Sequence, residues 1–544
     1  MSIKPLTLNQ IVLLVPYLLC CLLCSCARFD ATSPNDYIGP MVSEPNALSA
    51  PAPEANAVYA LLTPASSKMS PDNGPLNITI TQAVLLALEN NKSLVVQRFN
   101  PQIERTLEQQ ELAVFDPVLI SEVADKQRKT TTGPIGFSSR TNSVGVGIGQ
   151  SLPTGTVIGL TGSTDINEPA DDAGYASRIA FGVTQSLLRG FGTQVNLASV
   201  NQARLDIKIS QYELRGFVQS LVAQIEETYW DYALAERQID IYNRSLELAQ
   251  KQLQETQERI NVGKLAPSEL AAAEAEVALR REDLINARSA LAQIKLGLLH
   301  LINPPSINLW DREIVLESLP ASPSIELDSV EPHIALALQM RPDLNQAKLL
   351  WQRDELEVLK TKNGLLPKLD LFITLGKTGY ADSFGSSIKD VHGDNYDALV
   401  GLTFEYPPLN RAAEARHLRA VLTRHQAQEA INNLSQLIEV DVRSTYLEIV
   451  RTQEQIAATA ATRKLQEEKQ RWETEKFRVG KSTSLLVAQA QRDLVASQIS
   501  EVRAVVNYMK AFVEMYRLEG SLLERRGIAS PGREPVRLPD MAGP

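Results

Sequence analysis

Side chains able to do chemistry are few in this chain, and they are unevenly placed. All 4 cysteines, Cys20, Cys21, Cys24 and Cys26, crowd near the amino terminus, and the rest of the 544 residues has none. That distribution excludes a disulfide framework, a thiolate metal site and a cysteine nucleophile from the body. The 5 histidines (His300, His333, His392, His417 and His425) are scattered, so no metal site is expected. There is no His-Glu-x-x-His and no Walker loop; Gly145-x-Gly147-x-Gly149 lies in a strand-like run without a following helix, which is not a dinucleotide loop. Adjacent acids such as Glu226 and Glu227 fall on a helical pattern and read as a solvated face. Neither an enzyme nor a cofactor is expected.

The cysteines belong to an address. They close the apolar run IVLLVPYLLCCLLCS, residues 11–25, which contains Pro16. A membrane-spanning helix needs about 20 apolar residues, so this run fits the apolar core of an export signal over residues 1–25. Leu23-Cys24-Ser25-Cys26 resembles a bacterial lipobox, and the resemblance implies that Cys26 carries lipid. Ala27 follows it, where an Asp would favour retention in the inner membrane. Residues 27–75 hold 8 Pro among many Ala, Ser and Asn, and segment 26–75 reads as a flexible tether. Hydrophobic residues make up 44%, enough for a large core, and the net charge of −10 argues against a nucleic-acid partner.

The elements behind these residues come in duplicate. Ala83-Val84-Leu85-Leu86-Ala87-Leu88 sets against His333-Ile334-Ala335-Leu336-Ala337-Leu338 at an offset of 250. Glu227-Thr228-Tyr229 matches Ser444-Thr445-Tyr446, and Val262-Gly263-Lys264 matches Val479-Gly480-Lys481, both at 217. The first copy therefore carries 33 extra residues ahead of its long helix. The copies span 76–302 and 325–526, separated by a Pro/Ser-rich linker, 303–324, and followed by a tail, 527–544. A period this long marks a duplicated half, not a solenoid.

Each copy begins with a helix, near Thr79–Thr81 and near Ser329, and continues into strands with alternating apolar residues. These strands fall within 117–188 and 367–406. Asp165–Gly174 and Asp382–Asn395 read as exposed loops. Long helical hairpins follow, over 193–302 and 410–526. Ile225, Tyr232, Ile239, Leu246, Leu253 and Ile260 recur every seven residues, as do Leu270, Val277, Leu284, Leu291 and Leu298, the signature of coiled-coil packing. Copy two keeps Val442, Ile449, Ile456 and Phe477 but has Arg463 and Gln470 between them, which predicts a weakened stripe or a change of register. The fold class is α+β: antiparallel coiled-coil hairpins plus antiparallel strands too few to close a barrel without oligomerisation, since about eight is the minimum.

ITITQAVLLALENNKSL (Ile78–Leu94), the stretch TQSLLRGFG (Thr184–Gly192) and the paired Val-Gly-Lys turns resemble the TolC-like outer membrane efflux proteins, over about residues 78–526. The resemblance implies a homotrimeric, twelve-stranded transmembrane β-barrel, four strands per chain, continuing into a periplasmic α-helical tunnel. It further implies outer membrane lipid as surroundings, with a periplasmic adaptor and an inner-membrane pump as partners in efflux or type I secretion. The 33 extra residues depart from the pattern: Ser143–Ser163 reads as a hairpin turning at Pro153-Thr154-Gly155. It is expected to extend outside the barrel, the alternative being a barrel widened to eighteen strands.

By the same resemblance the tips (Val262, Gly263, Lys264 and Glu269; Val479, Gly480 and Lys481) are adaptor-docking points. In well-studied members, inward aspartates narrow the second tip while a Tyr and an Arg hold it shut. By position the aspartates fall on Leu486 and Gln489, the Tyr on Phe477 and the Arg on Ser482. None keeps the polar group, so any constriction here is expected to be apolar, gated by dewetting. The competing reading is a periplasmic coiled-coil scaffold lipoprotein without channel activity.

Overall fold

The computed structural model describes residues 75–132, 135–168, 174–304, 309–318 and 328–538. The export signal, Cys26 and the tether up to residue 74 lie outside the described residues. Along the chain, β1 (Leu76–Ile78) leads into α1 (Ile80–Asn90), α2 (Lys92–Gln97) and α3 (Asn100–Leu112). Four strands follow, β2 (Val118–Thr132), β3 (Ile135–Ser151), β4 (Thr156–Glu168) and β5 (Gly174–Ser186). After a short α4 (Thr193–Asn196) come the long helices α5 (Ala198–Asn261) and α6 (Ser268–Ile302). After β6 (Ile314–Leu316), in the segment between the copies, the second copy runs α7 (Val330–Met340), α8 (Pro342–Asn363), β7 (Lys368–Ala381), α9 (Phe384–Asp390) and β8 (Tyr396–Glu405). It ends with α10 (Arg411–Arg478), α11 (Ser484–Leu518) and α12 (Leu522–Arg525). At about 1.5 Å per residue, the 64 residues of α5 extend roughly 96 Å.

The chain divides into two compact units. The first, residues 104–206 and 351–426, is built on a six-stranded antiparallel sheet ordered β2-β3-β4-β5-β7-β8. The four strands implied by family resemblance are thus corrected to six: the extra hairpin, with its turn at Leu152–Gly155, lies in the middle of the sheet. Directly paired residues share a face. One such row crosses all six strands as Leu119, Ile148, Leu160, Phe181, Leu375 and Ala398. The next row, on the opposite face, reads Ile120, Gly147, Thr161, Ala180, Gly376 and Asp397. The face of the first row therefore carries an apolar band, although Ser121, Gly162 and Lys377 interrupt the row beside it, and three of its side chains are open: Leu119 is 72% exposed, Phe181 45% and Leu375 51%. The other face is mostly small or polar, with Arg178 paired to Asp397 across Gly376, where a Cβ would crowd both.

Beyond the apolar band, the same face turns small at Thr164, Ser177 and Gly379, and α9 packs there. Ser177 Oγ lies 3.0 Å from Thr164 Oγ1 and 2.7 Å from the buried Ser387 Oγ. The stretch expected as a loop, Asp382–Asn395, thus holds a helix because Gly379 and Ser177 leave room for its backbone. At the other end of the sheet the β3–β4 turn is fastened to the strand-to-helix junction. The Asn196 side-chain amide donates to the carbonyls of Pro153 (3.0 Å), Gly190 (2.8 Å) and Gly192 (3.0 Å). Gly155, at φ +84°, closes the turn, and a Cβ there would collide with the Gly190 carbonyl.

The second unit, residues 75–103, 207–350 and 427–538 among those described, is helical. Thr79 and Gln82 form the capping box that starts α1: Gln82 N donates to Thr79 Oγ1 (3.3 Å) and Thr79 N to Gln82 Oε1 (2.8 Å). Heptad residues Ile225, Tyr232, Val277, Leu284, Leu298, Val442 and Ile449 are buried. The stripe in copy two keeps its register through the polar positions, because Arg463 is neutralised by Glu501 (2.6 Å) and Glu467 (3.0 Å).

The segment separating the copies carries β6, which pairs in parallel with β1. Two tyrosines of α5 hold that pair: the Tyr229 hydroxyl donates to Ile78 O (3.1 Å) and the Tyr232 hydroxyl to Ile314 O (3.1 Å). Burial pushes the Tyr232 hydroxyl up to about 12.

The pair Glu226–Glu227 is not a solvated face. Glu226 is 1% exposed and accepts two bonds from Arg526, at 2.6 and 2.7 Å. Burial raises the Glu227 carboxyl above its ordinary value, with Lys510 opposing and Glu514 and Asp231 adding to the rise. Part of the carboxy-terminal tail is laid against helices: the Tyr212 hydroxyl donates to the Glu534 carbonyl, and Val536 N donates to Asn345 Oδ1 (2.8 Å).

Candidate functional site: the hairpin tips

Both long hairpins turn by the same device. Gly263 N donates to Ile260 O (2.9 Å) and Lys264 N to Arg259 O (2.8 Å). Gly480 N donates to Phe477 O (3.1 Å) and Lys481 N to Lys476 O (2.8 Å). These are the two bonds of a Schellman motif, which needs a left-handed residue, and the glycines sit at φ +70° and +76°. Restarting the chain differs between copies. Thr483 Oγ1 accepts from Leu486 N (3.4 Å) to cap α11, whereas Pro267 opens α6 without a side-chain cap and Glu269 lies in its first turn.

The turns leave matched surfaces. Val262 and Val479 are 66% and 67% exposed, each beside an exposed Lys264 or Lys481 and a bare glycine. Glu269 faces inward, accepting a short hydrogen bond from the Ser484 hydroxyl, and so joins the two hairpins.

The four expected constriction residues separate into two kinds. Leu486 and Gln489 are exposed on α11, Leu486 next to the exposed Leu485. Phe477 is only 4% exposed: Arg259 lies over its ring, 5.0 Å from the centroid, and donates from Nη1 to its carbonyl at 3.2 Å. Ser482 donates to Glu473 Oε2 (2.9 Å). That bond and the Lys476 ammonium, 2.7 Å away and the stronger influence, hold the Glu473 carboxyl below its usual range. Arg259 escaped the sequence reading. The only pointer to it is the offset of 217, which sets it against Lys476 in the matching last turn.

Duplicated coiled-coil hairpins with matched tips, together with a one-sidedly apolar antiparallel sheet, define the class of protein. The sequence matches the family described as outer membrane efflux protein over residues 158–303 and 333–521, and the chain belongs to that family. The outer membrane efflux protein BepC of Brucella suis is 24% identical over 356 residues, covering 63% of this chain and 73% of BepC. The fold is similar to the Campylobacter jejuni outer membrane channel CmeC (TM-score 0.61, 14% identity, 89% of this chain and 94% of that one). It is also similar to the open state of the Neisseria gonorrhoeae channel MtrE (TM-score 0.58, 18% identity, 89% and 98%).

Proposed function

We propose that this chain is the outer membrane channel of a tripartite efflux or type I secretion system, a homotrimer that passes cargo from a periplasmic adaptor and inner-membrane pump to the exterior. The observation that carries this is the sheet's apolar face. A row such as Leu119–Ile148–Leu160–Phe181–Leu375, with Leu119, Phe181 and Leu375 exposed and Ile148 and Leu160 half-buried, is costly in water and suited to acyl chains. Sheet edges are tolerated in lipid only when paired, so the two free edges, β2 and β8, call for further copies of the chain. A periplasmic scaffold would have no use for such a face.

In this reading residues 1–25 direct export and Cys26 anchors the mature chain in the outer membrane. The tips at Val262-Gly263-Lys264 and Val479-Gly480-Lys481 meet the adaptor, and Leu486 and Gln489 line the narrowest point of the tunnel. Closure by a Leu486 ring works by dewetting, without an anionic ring.

The test is purification from outer membranes followed by planar-bilayer recording. A heat-modifiable trimer that conducts ions supports the reading, and a water-soluble product that never conducts overturns it. Leu486→Ala should raise conductance, and cation block that is present in wild type and lost in this variant would refute apolar gating. Palmitate incorporation that is the same in wild type and Cys26→Ala would refute the lipid anchor.

A further inference from the structure

We propose that β3 and β4, the hairpin foreign to the family pattern, are membrane-spanning wall strands, so that each copy supplies six strands and three copies close a barrel of eighteen. This rests on the channel reading above. Four observations lead to it.

The ladder is unbroken: β3 pairs with β2 from Arg128 to Val118 and beyond, and with β4 from Arg140 to Ser151. β5 is bonded on both edges, to β4 and to β7, so β2 could reach it only by displacing β4. Next, the hairpin carries the membrane pattern of its neighbours. Val144, Val146 and Ile148 on β3 and Ile158 and Leu160 on β4 fall on the apolar face, while Gly145, Gly147, Gly149, Gly159, Thr161 and Ser163 fall on the other. A hairpin lying outside the membrane would have no reason to set its apolar stretch level with the band on β5 and β7.

Length and ends agree as well. β3 and β4 have 17 and 13 residues, and a tilted strand needs about 9–11 to span. The tight turn Leu152–Gly155 is held by Asn196 at the edge where the helices begin, matching the rule of short periplasmic turns. Finally, the parity is right. With six alternating strands, β2 and β8 run in opposite directions, so β8 of one copy meets β2 of the next in the antiparallel sense a closed wall requires. Barrel diameter grows roughly linearly with strand number, so the mouth is about one and a half times as wide as with four strands per copy. The cargo that fits such a mouth is correspondingly bulkier.

The cysteine-free body allows a direct test by single-cysteine labelling of the full chain in outer membranes with a charged, membrane-impermeant maleimide, wild type serving as the blank. On β4, Thr161→Cys should label about tenfold faster than Leu160→Cys, because one faces water and the other lipid. Ser143→Cys against Val146→Cys repeats the comparison on β3 in case either first variant fails to assemble. Thr374→Cys against Ile373→Cys, on β7, tests the channel reading itself. Alternation on β7 and also on β3 and β4 supports the proposal. Alternation on β7 with equally fast labelling at both hairpin positions overturns it and leaves the channel intact. No alternation on β7 overturns both.

Discussion

Arg526 and Glu226 meet where a carboxylate is 1% exposed, so the arginine matters mainly because its loss leaves a buried charge alone. Breaking such a pair typically costs about 3–5 kcal/mol, and Arg526→Ala should lower the thermal midpoint of the helical signal in circular dichroism by several degrees. An unchanged midpoint would show that the pair does not hold the fold. The neighbouring Glu227 makes stability depend on pH. Because burial raises the Glu227 carboxyl, the folded chain holds this proton to a higher pH than the unfolded chain does. Its contribution is therefore favourable below the ordinary carboxylate value and is lost as pH rises through the folded one. Glu227→Gln should raise the midpoint at pH 7.5 and leave it unchanged at pH 4; a lower midpoint at pH 7.5 would contradict the raised value. At the tip, Arg259 ties the two hairpins through the Phe477 ring and carbonyl. If that tie holds the channel closed, losing roughly 1 kcal/mol in Arg259→Ala should raise the open-to-closed ratio about fivefold in bilayer recordings, chiefly by shortening closed dwells.

The turn motifs carry a prediction that separates space from conformation. Neither Gly263 nor Gly480 has an atom close to where a Cβ would go, so only the left-handed backbone resists substitution. Gly480→Ala should cost about 1–2 kcal/mol, and Gly480→Asn noticeably less, since Asn tolerates that region. A pull-down with the cognate adaptor, once identified, should weaken in the same order; equal binding by all three proteins would remove the tips from docking.

The hairpins, their turns and the cap at Thr79 were legible in the sequence because helix packing repeats locally: Ile225, Tyr232 and Val277 announce burial by spacing alone. The sheet was harder to read. β2 breaks alternation at Val118-Leu119-Ile120 and is polar beyond Val123, and the pairing of β5 with β7 joins residues nearly two hundred positions apart, which no local period encodes. For the same reason Arg463 looked like a flaw in the heptad until Glu501, a partner on the next helix, came into view. Glu226 looked solvated because its partner lies 300 residues away.

At the scale of the whole chain, two similar halves are joined near their starts by β1 and β6, under the hydroxyls of Tyr229 and Tyr232. Leu76, Ile78, Ile314 and Leu316 are buried in that junction, within the same apolar core as α5, α6 and α11. A clasp held by pairing, hydrogen bonds and a shared core is expected to make the covalent link between the halves dispensable. A gene cut so that residues 1–304 and 305–544 are exported as separate polypeptides, the second behind an added export signal, places β1 and β6 on different pieces and should still yield the assembled protein, recovered as one species by a tag on either piece. Adding Tyr229→Phe and Tyr232→Phe should abolish that recovery while leaving the uncut chain intact. Joined at a docked seam instead of by the backbone, the halves could also be supplied in the reverse order, as a circular permutant.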